Sequence, residues 1–250
     1  MPKERSGLAS SEKRQGIITD GRNIRNAEDA DNFFEHANDR QIDDFVQHLQ
    51  SSQIGEMEND NDVQRFMNQI GWTDERPEAL GETAYQKAWE DAGRPTQLYH
   101  SDNGAGGISP NEFAKQYMGY STNFAGDIRK HYISNGYYGG GTYYADSADE
   151  SAGYGTLQYR GFLNSNAKVI TWSQLHSQMA EYTSKHPSFD RFINQMRTGY
   201  GGRAEAMSIF AAMKGYNVID NEWGYTVVLN RKATTVSRKT MRTSMRMKNW

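Results

Sequence analysis

The densest run of chemically useful side chains begins at Gly139-Gly140-Gly141-Thr142-Tyr143-Tyr144-Ala145-Asp146. It continues into Ser147-Ala148-Asp149-Glu150-Ser151-Ala152-Gly153-Tyr154. Consecutive glycines give a backbone that bends freely and that another group can approach closely. Thr142, Tyr143 and Tyr144 read as a short strand of β-branched and aromatic residues. Ser147 has the character of a helix N-cap, with Glu150 as its capping-box partner. Ser151 and Tyr154 then fall on one face of that helix. A strand–turn–helix corner of this kind gathers two phenols and a hydroxyl. That set suits a flat ring bearing an amide, with faces to stack on and a hydroxyl to bond the amide. Tyr144 alternates to the other side of the strand and is expected in the core.

The same residues resemble the nicotinamide-binding core of the ADP-ribosyltransferase fold, in the poly(ADP-ribose) polymerase and diphtheria-toxin style. That family's signature is Gly-x-Gly-x-Tyr-aromatic-Ala-Asp followed by Ser-Ala-x-Tyr. It carries a His on an earlier strand, matched here by Leu98-Tyr99-His100. The resemblance covers residues 96–231. It implies an α+β fold, an ADP-ribosyltransferase-like split β-sheet domain, preceded in this chain by a small helical subdomain. It also implies NAD as substrate, with no metal.

What the resemblance implies for single residues is specific. His100 would bond a hydroxyl of the nicotinamide-side ribose. Tyr143 and Tyr154 would sandwich the nicotinamide, and Ser151 would bond its amide oxygen. The residue after the His is usually Gly, whose backbone clamps the amide. Here it is Ser101, which keeps both backbone groups but adds a Cβ that narrows the approach.

The family also needs a carboxylate, because breaking the nicotinamide–ribose bond builds positive charge on the sugar, as in glycoside hydrolysis. An adjacent anion stabilises that charge. The family's late strand begins with Glu, then an aromatic and apolar residues. Tyr225-Thr226-Val227-Val228 fits the later part, but Gly224 stands at the Glu position. Glu222, two residues earlier, is the nearest candidate catalytic group, provided the strand or a bulge carries it into the site.

Other chemistries find less support. The 250-residue chain has no cysteine, so disulfides and thiolates are excluded. The six histidines are scattered without zinc-ligand spacing. The glycine run is not followed by Lys-Ser/Thr and does not read as a P-loop. A net charge of −3 predicts no bulk attraction to nucleic acid or membrane. Mean hydropathy is −0.89, and no apolar run approaches the roughly 20 residues of a membrane span. The N-terminus lacks an apolar signal-peptide core. The expected setting is intracellular, cytoplasmic or virion-associated.

Around the corner, four regions are expected. Residues 1–23 are polar and read as a mobile tail. Residues 24–95 read as a helical subdomain. In it Ile42, Phe45, Val46 and Leu49 repeat at helical spacing, as do Val63, Phe66, Met67 and Ile70. Between Glu28 and Asp44 stand seven acidic residues and one basic one, a solvated face or a docking surface for a basic partner. Residues 96–231 form the catalytic-type domain. It opens with a strand at Thr96–His100, and Ser109-Pro110-Asn111-Glu112 announces a helix. Two strands follow at 156–162 and 167–170, then three helices after Thr171, and a hairpin across Asn221–Gly224. Residues 232–250 read as a basic tail. The last twenty residues hold seven Lys or Arg and no acid, suited to nucleic acid or to the acidic helical region.

The expected function is mono-ADP-ribosyl transfer from NAD to a protein acceptor of phage or host origin. The order of these segments is also similar to ADP-ribosyltransferase-like proteins encoded by bacteriophages and gut bacteria. The alternative is a catalytically weak or inactive module that uses the same fold for binding, as a virion or interaction protein would. NAD hydrolysis without an acceptor is a third course.

Overall fold

The computed structural model describes residues 16–51, 62–71, 77–102, 142–154, 157–196, 202–239 and 241–242. The architecture is mixed α+β. The helices are α1 (Ala27–His36), α2 (Asp39–Ser51), α3 (Asp62–Gln69), α4 (Glu82–Asp91), α5 (Ala148–Ser151), α6 (Trp172–Lys185), α7 (Pro187–Met196) and α8 (Gly202–Met213). The strands are β1 (Glu78–Leu80), β2 (Leu98–Asp102), β3 (Thr142–Ala145), β4 (Leu157–Leu163), β5 (Val169–Thr171), β6 (Val218–Asp220), β7 (Tyr225–Val228), β8 (Thr234–Ser237) and β9 (Met241–Arg242). They form one sheet in the order β1-β8-β4-β2-β3-β7-β6-β5, with β9 paired to β4. Pairing is antiparallel except at the two ends, where β1–β8 and β5–β6 are parallel. Among the described residues, no helix is long and apolar enough to cross a membrane.

Several elements begin where local chemistry dictates. Asn26 caps α1 by accepting the Asp29 N–H. Thr171 and Gln174 close a reciprocal capping box at the start of α6. Gly215, at φ +76, ends α8 in a conformation only glycine adopts without strain. The hairpin expected across Asn221–Gly224 is present. Its turn is built on the Asn221 side chain, whose Oδ1 accepts the N–H groups of Trp223 and Tyr225 at 2.8 and 2.9 Å.

Two clusters hold the fold together. The larger joins Phe33 and Phe34 of α1, Phe45 of α2 and Phe66 of α3 to Phe189 and Phe192 of α7 and Phe210 of α8. The rings meet mostly edge to face; Phe34 and Phe189, for example, lie 4.9 Å apart at 75°. The smaller cluster lies on the opposite face of the sheet and contains Leu98, Tyr144, Tyr159, Val228 and Val236.

The chain's organisation differs from the sequence expectation in four places. Residues 16–23, placed in the tail, include a 3-10 turn at Gly21–Asn23, and the Ile18 N–H donates to Asn32 Oδ1 at 2.9 Å. The stretch 24–95 has two roles: α1–α3 share a core with α6–α8, whereas β1 extends the sheet beside β8. Residues 234–237, placed in the basic tail, form β8 between β1 and β4, with every residue buried. The β-branched run Thr234-Thr235-Val236 explains that strand, and burial on both faces hides the alternation that would have announced it. Strands β4 and β5 also do not pair with each other; β5 joins the far edge beside β6. The helix expected from Ser109 lies outside the described residues.

Candidate active site

Three segments distant in sequence, β2, β3 and β7, are neighbours at the centre of the sheet. β3 pairs with β7 along its whole length, from Thr142 opposite Val228 to Ala145 opposite Tyr225. With β2 it shares only the Tyr99–Ala145 pair. At the next position on β2 a side chain replaces the backbone ladder. His100 Nδ1–H donates to the Tyr143 carbonyl at 2.6 Å. A carbonyl only accepts, so Nδ1 carries a proton in this contact. The imidazole packs beside Tyr159 and Tyr144, with centroids 5.1 and 5.7 Å away.

The two tyrosines of β3 part company as strand alternation requires. Tyr144 is fully buried, its hydroxyl 3.4 Å from that of Tyr159, and burial pushes its phenol above the ordinary range. Tyr143 is half-buried and packs against the helical cluster. His100 therefore shares its face with Tyr144, and it meets Tyr143 through that residue's backbone.

β3 runs directly into α5. Ser147 Oγ accepts the Glu150 N–H at 3.2 Å, the expected N-cap. Asp146 N–H donates to the Gly224 carbonyl at 3.0 Å, which ties the start of this corner to the β6–β7 turn. One helical turn on, Ser151 is buried and its Oγ lies 2.6 Å from Ser101 Oγ. Gln158, buried on β4, donates from Nε2 to Ser101 Oγ at 3.2 Å and to the Ala148 carbonyl at 2.8 Å. One amide thus locks β2, β4 and α5 together around the two hydroxyls. Nothing in the local sequence marks Gln158. A polar residue at a strand start reads as solvent-facing until the partners are known.

The fold places Ser101 and Ser151 in contact and holds His100 on the Tyr143 backbone. Tyr154 closes a 3-10 turn at Ala152–Tyr154, and its side chain lies outside the described residues. Glu222 is located differently from a strand residue. It sits in the turn at φ +66, ahead of β7, which starts at Tyr225. Its N–H donates to Asp220 Oδ1, and its carboxylate accepts the Ser173 N–H at 2.9 Å, in the first turn of α6. Hydrogen bonds from Ser173, its side chain foremost and then its backbone N–H, hold the carboxyl below its ordinary range.

A different carboxylate lies at Gly224. A Cβ built on Gly224 would fall 3.3 Å from Glu150 Oε2. Asp146 joins the same patch: burial raises its carboxyl above the ordinary range, with the charges of Asp220 and Glu150 adding to the effect. The sequence names Glu150 only as a capping partner. Its approach to Gly224 is a tertiary contact between residues far apart in the chain.

No protein-family model matches this chain, and no curated protein or solved structure matches it either.

Proposed function

We propose that this protein is an NAD-dependent mono-ADP-ribosyltransferase, cleaving the nicotinamide–ribose bond and passing ADP-ribose to a protein acceptor. The observation that carries this reading is the adjacency of β2, β3 and β7 at the sheet centre. These strands bear the three parts of the resemblance, the His, the Tyr and the late apolar strand. The hydroxyl pair of Ser101 and Ser151 offers both donor and acceptor capacity to a carboxamide. His100 stands at the position of the family's histidine, on β2 beside β3.

The second reading is a module that binds NAD or ADP-ribose without cleaving it. It is favoured by Gly224 at the family's carboxylate position and by the engagement of Glu222 with Ser173. Incubating the purified full chain with NAD separates the two. Nicotinamide release that Tyr143→Ala abolishes supports the transferase. NAD binding by calorimetry with no release supports the module. Release without acceptor labelling would indicate simple hydrolysis.

A further inference from the structure

The NAD-cleaving reading requires an anion where β7 begins, and Gly224 cannot supply one. Nor is this a position that tolerates an ordinary side chain, because Gly224 has φ +94. The space a side chain would enter is taken by Glu150. Its Oε2 stands 3.3 Å from the ideal Cβ position, with Cδ and Oε1 each at 3.9 Å.

Glu150 is presented on a well-anchored element. Its own N–H is bound by Ser147 Oγ, and the Asp146–Gly224 backbone bond fixes the corner to the turn. The next residue, Ser151, is the buried hydroxyl paired with Ser101. Consecutive residues of one helix therefore carry this carboxylate and the hydroxyl that the resemblance assigns to the amide. The Glu150 side chain is exposed. The rival carboxylate of Glu222 is turned to the start of α6.

We propose that Glu150, resting against Gly224, is the catalytic carboxylate of this protein, replacing across space the glutamate that a strand position would otherwise provide. This rests on the NAD-cleaving reading. In the step, the bond between the nicotinamide nitrogen and ribose C1′ breaks, and its electron pair leaves with neutral nicotinamide. The positive charge that develops at C1′ is stabilised by the Glu150 carboxylate. A lone pair on the acceptor's heteroatom forms the new bond to C1′. The acceptor's proton passes to Glu150 and then to water. NAD and acceptor give nicotinamide, ADP-ribosylated acceptor and one proton.

The test measures nicotinamide release by the full chain for the wild type, Glu150→Gln, Glu150→Asp and Glu222→Gln, with melting temperatures beside the rates. Glu150→Gln is expected to lower kcat by about 100-fold or more, the scale for losing a transition-state electrostatic contact. KM for NAD should stay within about threefold, since the lost contact forms only as charge develops. Glu222→Gln should keep kcat within about threefold of wild type. Should Glu150→Gln fail to fold, Glu150→Asp decides: its shortened reach must cut the rate by about tenfold in a folded protein. A Glu150→Gln protein of undiminished rate, or a Glu222→Gln loss of equal size, overturns the assignment and leaves the NAD-cleaving reading intact. A wild type that releases no nicotinamide overturns both.

Discussion

The hydroxyls of Ser101 and Ser151 meet at 2.6 Å inside the protein, and Gln158 donates to the first of them at 3.2 Å. This is a small buried polar network joining β2, β4 and α5. Removing one hydroxyl leaves the others without that partner in a low-dielectric site. Ser101→Ala is expected to destabilise the protein by about 1–3 kcal/mol, the desolvation penalty of an unsatisfied buried group. Ser151→Ala should cost a similar amount. The double variant should cost less than the sum, because both changes remove the same contact. Denaturant unfolding midpoints at unchanged slope would measure this, and strict additivity would mean that the pair does not act as a unit.

High pH should weaken the fold through its buried phenols. Burial pushes Tyr85 up to about 12 from 10.0, and it raises Tyr144 and Tyr182 as well. Tyr182 also donates to Asp31 Oδ1 at 2.9 Å, and the neighbouring negative charge further opposes its ionisation. In the unfolded chain these phenols ionise near the ordinary value of about 10. Above that pH the unfolded state has released protons that the folded state still holds, so stability declines as pH rises. The contribution is intact below about pH 10 and is lost as pH climbs through the folded values. Melting temperatures between pH 8 and 11.5 should fall, and Tyr182→Phe should flatten the decline. An identical slope in that variant would assign the effect elsewhere.

What the sequence made legible was local. The Ser147 cap, the Thr171–Gln174 box, the hairpin across Asn221–Gly224 and the core position of Tyr144 follow from neighbouring residues, and each is found. What stayed hidden depends on distant partners. Glu150 reads as a cap residue because its contact with Gly224 exists only after β7 has paired with β3. The strand Glu78–Leu80 has three residues, too few to establish a period. The basic composition of the last twenty residues masked the Thr234–Ser237 strand, since charge dominates an average over a window that a four-residue buried run cannot outweigh. The phenylalanine spacing identified α1–α3 as amphipathic. It could not say that their apolar faces close on α7 and α8.

Gly21 is a position where packing forbids any side chain. A Cβ there would fall 2.3 Å from Phe45 Cγ and 2.4 Å from Cδ2, inside the ring's van der Waals surface. Phe45 is itself wedged between Phe33, Phe66 and Phe192, so it has little room to retreat. Gly21→Ala is expected to cost about 1–3 kcal/mol by overpacking. The same substitution at Gly81, whose Cβ would meet nothing within 4 Å, serves as the control. Thermal unfolding of the two variants should therefore differ. Equal stability would mean that the turn at Gly21–Asn23 does not seat against α2 as described.

The clamp between α2 and α7 gives an acid-side counterpart. Arg191 grips Asp43 with two hydrogen bonds, Nε to Oδ1 at 2.7 Å and Nη2 to Oδ2 at 2.8 Å, and Gln195 Nε2 adds a third at 2.6 Å. The Arg191 guanidinium foremost, and then Gln195, lower the Asp43 carboxyl to about 2 from 3.8. A carboxylate held below its unfolded value contributes stability above that value and loses it as pH falls through the folded one. The contribution is therefore present at neutral pH and disappears between about pH 4 and pH 2. Arg191→Ala should return the Asp43 titration midpoint towards 3.8, followed by carboxyl NMR, and should remove this share of the acid sensitivity. Because the pair is partly exposed, its neutral-pH effect should shrink in high salt. An Asp43 midpoint unmoved by Arg191→Ala would show that the helices are joined by their aromatic faces alone, with the charges merely adjacent.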